Sequence, residues 1–140
     1  KMWSVIRKKQ NKKGEEGFTL IELIVVIAIL GFLLAIAIPR YNTSRAKAAV
    51  NASAANLKNL ANAMELYVTE HNIADYPSNG LDIVALYMPS GSPKNPAGKD
   101  YTFSGGGAGY QFTDPDPYTA ANVNAGALYV TEGGILHGLP

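Results

Sequence analysis

Gly17-Phe18-Thr19-Leu20-Ile21-Glu22-Leu23-Ile24-Val25-Val26-Ile27-Ala28 opens an apolar run that lasts to Ile38, and its reading decides the fold. Leu, Ile, Val, Ala and Phe fill the run almost throughout, with Thr19, Glu22 and Gly31 as the exceptions. About 20 such residues in a helix span the hydrocarbon core of a bilayer. Glu22 therefore lies in an otherwise membrane-grade helix, where an ionised side chain costs roughly 2.5–3.5 kcal/mol at the centre on insertion scales. A carboxylate held at that cost needs a partner and a task.

The formal charge of +1 conceals an asymmetry. Residues 1–17 hold Lys1, Arg7, Lys8, Lys9, Lys12 and Lys13 against Glu15 and Glu16, a local +4, while the rest of the chain sums to −3. A basic segment ahead of an apolar span stays on the cytoplasmic side of a membrane. Because the clustered cations are confined to this leader, no direct nucleic-acid binding is inferred. The chain has no cysteine, which excludes thiol redox chemistry, thiolate metal sites and disulfides. A secretory signal would be cut after its apolar region at a small-x-small site, a pattern that Ala35-Ile36-Ala37 loosely fits. Neither that reading nor a plain anchor explains Glu22.

Lys12-Lys13-Gly14-Glu15-Glu16-Gly17 followed by Phe18-Thr19-Leu20-Ile21-Glu22-Leu23 resembles the class III signal of type IV prepilins and type II secretion pseudopilins. The resemblance implies cleavage by a prepilin peptidase between Gly17 and Phe18, with N-methylation of Phe18. It also supplies the partner for Glu22: the methylated amine of Phe18, on a neighbouring subunit or the same one. A wholly apolar helix could pack in any axial register, whereas a buried carboxylate that must find a cation selects one. Glu15-Glu16 beside the glycine departs from the commoner, wholly basic approach. Gly31 and Pro39 bracket a weak section, since Gly costs about 1 kcal/mol in a helix interior and Pro removes an amide donor. A static kink and a segment that melts on assembly both fit; the resemblance favours melting.

Beyond Pro39 the chain stays helix-forming to about His71, with Val50, Ser53, Leu57, Leu60, Met64 and Tyr67 recurring at three- and four-residue steps as one stripe. From Phe18 to His71 such a helix would measure roughly 80 Å. Its first half needs a bilayer or other copies of itself. Arg40, Arg45 and Lys47 just past the apolar run suit lipid headgroups, acidic neighbours in a filament, or a solvated face.

Ala74-Asp75-Tyr76-Pro77-Ser78-Asn79-Gly80 carries the turn chemistry that stops the helix. Leu81 to Met88 reads as a short helix with Leu81, Val84, Ala85 and Met88 inward. Tyr101–Phe103 and Tyr110–Phe112 read as strands joined by a glycine-rich link, and Ala127–Thr131 with Ile135–His137 as a second hairpin turning at Gly133-Gly134. The expected fold is α+β and pilin-like: a long N-terminal helix, transmembrane in its first half and amphipathic in its second, on a three- to four-stranded antiparallel sheet. The expected segments are a leader over 1–17, a filament-core helix over 18–39, an amphipathic helix over 40–72 and a head over 73–140. Ala63-Met64-Glu65-Leu66-Tyr67 with Tyr76-Pro77, and Pro93 to Tyr101, are similar to the major type II pseudopilin, although its Asp-rich C-terminal calcium loop is not evident.

Asp114-Pro115-Asp116-Pro117 with Asn122 and Asn124 offers oxygen ligands at short spacing, which makes them calcium candidates although no cofactor is assigned. Asp-Pro repeats are equally ordinary turn formers. His71 and His137 lack metal-spaced or triad partners, and no GK[ST] follows Gly105–Gly107, so no catalytic residue is assigned and the chain reads as structural rather than enzymatic. The resemblance implies a homopolymer in a helical filament, added to by an inner-membrane assembly platform with a cytoplasmic ATPase. The precursor would wait in the cytoplasmic membrane, and the mature subunit would be a cell-surface or periplasmic filament serving adhesion, twitching motility or DNA uptake. A type II secretion pseudopilin is the alternative, and a monomeric membrane-anchored binding module the remote one.

Overall fold

The computed structural model describes residues 17–140, so the leader expected over residues 1–17 lies outside them except for Gly17. Helix α1 (Leu20–His71) runs for 52 residues and is helical through both Gly31 and Pro39. The chain divides into two compact units, with the boundary between Ala37 and Ile38. In the first unit none of the described residues covers the apolar side chains: Leu20 is 77% exposed, Phe32 68% and even Ile24 47%. By length and composition α1 can cross a membrane.

In the second unit, the rest of α1 forms one wall of a core. Val50, Ser53, Leu57, Leu60 and Met64 are all buried, as the stripe predicts, and Ala54, Ala61 and Ala63 widen the buried face. Tyr67 at the end of the stripe is only half-buried. The helix stops where Asn72 adopts a left-handed φ of 49°. The Asn72 amide then donates to the Thr69 carbonyl and that of Ile73 to Val68, both at 3.3 Å, satisfying carbonyls the helix leaves open.

Helix α2 (Gly80–Leu86) begins one residue before the expected helix and ends two before it. Ile83 and Val84 are its buried side chains, while Leu81, Ala85 and Met88 are half-buried. The shift has a steric cause: Gly80 lies flat under Phe103, whose ring would come within 2.3 Å of any Cβ there. The sheet is β1 (Thr102–Gly106), β2 (Gly109–Thr113), β3 (Tyr129–Thr131) and β4 (Ile135–His137), antiparallel and ordered as in the chain. Its register sets Phe103 opposite Phe112, Phe112 opposite Val130 and Val130 opposite Leu136. That row crosses all four strands and, with Tyr110 and Leu128, closes the core against α1.

Two carboxylates tie this core to the helix. Asp114, with no solvent exposure, accepts from Ser53 Oγ of α1. It also accepts from Tyr118 OH at 2.6 Å, Asn95 Nδ2 at 2.9 Å and the Asp116 amide at 3.0 Å. Tyr101 OH lies 3.1 Å from Ser53 Oγ and accepts from Asn56 Nδ2 at 3.2 Å, so a relay of neutral donors converges on Asp114. Glu65, three turns further along α1, takes hydrogen bonds from Tyr110 OH at 3.0 Å, Tyr76 OH at 3.1 Å and the Gly133 amide at 2.9 Å. Burial, then the Glu65 charge, pushes the Tyr110 hydroxyl well above the usual phenol range, so it remains a donor. Asp116 pairs with Lys99 and accepts from Asn95 Nδ2 at 2.6 Å; these contacts, Lys99 first, hold its carboxyl below the usual carboxylate range.

Ser53→Ala strips one donor from Asp114 and the partner of Tyr101, and should cost about 1–3 kcal/mol. The full chain in detergent should unfold at a lower urea midpoint with an unchanged slope. Because folding depresses the Asp116 pKa, its contribution is complete above the unfolded value near 3.9 and is lost as pH falls through the lower folded value. Asp116→Asn should therefore flatten the decline of the urea midpoint below about pH 4 while lowering the midpoint at neutral pH.

Candidate functional site

Gly17, Phe18 and Thr19 precede α1 without helical structure, and Phe18 is 93% exposed. The Gly17–Phe18 bond thus lies outside regular secondary structure. Among the described residues, a Cβ on Gly17 would meet nothing within 4 Å.

Thr19 is the N-cap of α1, and Glu22 stands at the third helical position. Glu22 accepts from the Thr19 amide at 2.8 Å and from Thr19 Oγ1 at 2.7 Å, while its own amide donates to Thr19 Oγ1 at 3.2 Å. This reciprocal pair is a capping box, which occupies amides that the first turn of a helix leaves without acceptors. Its signature, Thr-x-x-Glu before an apolar run, is present in the sequence as Thr19-Leu20-Ile21-Glu22. The carboxylate is not wholly unpartnered in a single chain. It remains exposed beside Phe18, Ile21, Val25 and Val26, which line an apolar concavity of about 580 Å³ with it. Anything that seats there meets one charge in an oily surround, a setting in which an ammonium partner is strongly preferred.

Gly31 and Pro39, the expected weak points, are both within helix here. A Cβ on Gly31 would meet nothing within 4 Å. Thr43 Oγ1 donates to the Pro39 carbonyl at 3.1 Å, a side-chain bond back to the preceding turn.

Of the four calcium candidates, Asp114 and Asp116 are brought together and share Asn95 Nδ2. Their oxygens face donors: two hydroxyls, an amide nitrogen, a backbone N–H and the Lys99 ammonium. Asn122 and Asn124 are exposed; Asn122 ends a short 3₁₀ turn in the left-handed conformation, and the Asn124 carbonyl accepts from Ala127 at 3.1 Å. Among the described residues, no group of three or more His, Cys, Asp or Glu could hold a metal ion. Glu65, which the sequence reading passed over, proves to bridge helix and sheet; its only signal was an acid beside the buried stripe.

Residues 12–38 match the model of the prokaryotic N-terminal methylation motif. The type II secretion system core protein G of Pseudomonas aeruginosa is 36% identical over 85 residues, which are 60% of this chain and 58% of that protein. The type IV major fimbrial protein FimA of Dichelobacter nodosus is 36% identical over 97 residues, 68% of this chain and 61% of its own. A fimbrial protein of Neisseria meningitidis is 38% identical over 91 residues, 58% of this chain and 51% of its own. The chain thus spans between half and two thirds of the length of these relatives. No solved structure matches it significantly. The motif that places Glu22 after Gly17-Phe18, carried on a long apolar helix, is what this chain shares with type IV fimbrial proteins and type II secretion core protein G, and it supports the type IV pilin and pseudopilin family.

Proposed function

We propose that this chain is a structural, non-enzymatic subunit of a type IV pilus. A prepilin peptidase cuts it between Gly17 and Phe18, Phe18 is N-methylated, and the subunit polymerises through α1 into a helical filament. The observation that carries this reading is the pairing of an uncovered apolar helix with one carboxylate at its N-terminal end. Residues 1–17 are then a leader, 18–39 the filament core, 40–72 the helix that carries the head and 73–140 the head itself. An inner-membrane platform and its cytoplasmic ATPase would drive addition of subunits from the cytoplasmic membrane.

In this scheme Glu22 passes from one partner to another. Thr19 satisfies it while the subunit waits in the bilayer, and the amine of Phe18 replaces or joins Thr19 when subunits dock. The glycine at 17 serves the peptidase, and the empty space at Gly31 serves close helix approach or local melting towards Pro39. A type II secretion pseudopilin is the second reading, supported by the similarity to core protein G in Pseudomonas aeruginosa.

Mass spectrometry of the N-terminus in purified filaments tests the processing. A peptide beginning with methylated Phe18 is expected, and an intact Gly17–Phe18 bond in filament material would overturn the scheme. Recovery of the subunit from sheared surface fibres is expected for a pilus; its retention with the cells would favour the pseudopilus. Glu22→Val should leave the protein in the membrane yet abolish filaments, whereas Thr19→Val, which loses the cap at about 1 kcal/mol, should lower filament yield without abolishing it.

A further inference from the structure

From Pro39 to Met64, α1 carries Arg40, Arg45, Lys47 and Lys58 and no acidic residue. Among the described residues none of these four is in an ion pair; the two salt bridges are Lys94–Asp100 and Lys99–Asp116. Three of the cations lie just beyond the apolar run, at the end opposite the basic leader. Basic residues are generally in excess on the cytoplasmic side, so a cationic cluster on the far side calls for its own explanation.

The face geometry supplies one. Arg40, Thr43, Ser44, Lys47 and Asn51 follow one another at three- and four-residue steps, which puts them along one side of the helix. They border two adjoining concavities. One, of about 400 Å³, is lined by Arg40, Thr43, Ser44 and Lys47 with Pro39. The other, of about 480 Å³, lies where Ala120–Asn122 and the C-terminal Leu139-Pro140 overhang Lys47, Val50 and Asn51. Thr43 and Lys47 line both, so the two make one trough that starts at the end of the apolar run. Arg45 lines neither; five residues from Arg40, it is turned about 140° away around the helix.

We propose that this trough seats the headgroup of an anionic phospholipid whose alcohol is uncharged and hydroxylated, as in phosphatidylglycerol. The inference rests on the membrane residence of the precursor. Arg40 presents a planar fork to a phosphate and Lys47 a point charge. The seven helical steps from Arg40 to Lys47 rise about 10 Å, enough to cover the headgroup layer that flanks a roughly 30 Å hydrocarbon core. Thr43 Oγ1 spends its proton on the Pro39 carbonyl at 3.1 Å and so turns acceptor lone pairs outward, the polarity a glycerol hydroxyl needs. Asn51 and Asn122 add amides at the head side, and Leu139, 52% exposed, offers an apolar edge to the lipid. A headgroup bearing an ammonium would meet two cations instead. The seat holds the waiting subunit at a set depth and is vacated when it leaves the bilayer.

The test uses the full chain in membranes of equal phosphatidylglycerol and phosphatidylethanolamine, released into detergent and examined by native mass spectrometry for retained lipid. Wild type should retain phosphatidylglycerol in preference, and Arg40→Gln with Lys47→Gln should reduce the preference by roughly fivefold per cation. Arg45→Gln removes an equal charge outside the trough and should leave it unchanged. Both lipids retained equally by wild type would overturn the proposal, as would an Arg45→Gln loss equal to that of the trough variants, the mark of a diffuse basic collar. Displacement of the lipid by inorganic phosphate at about 10 mM, which adds little screening to a buffer of about 0.15 M ionic strength, would overturn it in favour of a free-anion site. Carbonate-resistant fractionation of the same membranes separates the two failures: release of the chain there overturns membrane residence itself, not only the seat.

Discussion

Helix α1 is one helix that needs two solvents, and the rest of the molecule answers to that. From Leu20 to Ala37 its apolar side chains are left exposed by the described residues, and burying a Leu, Ile, Val or Phe is worth about 1.5–3 kcal/mol each. Left in water, that surface would outweigh the 5–15 kcal/mol by which a folded domain is ordinarily stable. This half must therefore be covered by lipid or by other copies. Beyond Ala46 the chain covers α1 itself, with Leu57, Leu60 and Met64 sealed under the sheet.

Three carboxylates show how a polar group is made tolerable in such a helix or on top of it. Glu22 is held by Thr19, its nearest possible donor, and stays open to a second. Asp114 is fully buried and saturated by four donors drawn from α1 and the head. Glu65 is half-buried and gathers Tyr76 from the segment after α1, and Tyr110 and the Gly133 amide from the sheet hairpins. Ser53, which holds Asp114, and Glu65 stand twelve residues apart on α1, about 18 Å along its axis, and fix the head at two points. Two points set a rotation as well as a distance, which a greasy interface alone defines poorly.

The stripe from Val50 to Met64 was legible because helical period and burial coincide there, and the hairpins because alternating aromatics flank glycines. The start of α2 was not legible: Gly80 reads as a turn signal until Phe103 is known to lie over it. Ser53 read as a tolerated polar residue in a stripe, and only its contact with Asp114 explains it. Asp114 and Asp116 read equally as turn formers and as calcium candidates, because carboxylates in sequence carry no record of the donors they will face. The capping box was available in Thr19-x-x-Glu22 and was hidden by the stronger signal around it.

By itself the sequence determined where the chain needs lipid or copies of itself, where the one charge of its apolar run lies and which segments are helix and strand. These follow from local composition and period, and neighbours far along the chain do not alter them. Only the tertiary structure decided the partners of Asp114 and Glu65, the role of Gly80 and the trough that joins Arg40 and Lys47 to the overhang at Asn122. Each of those depends on residues tens of positions apart meeting at hydrogen-bond or van der Waals distance. No periodicity encodes such a meeting; the packing of sheet on helix creates it.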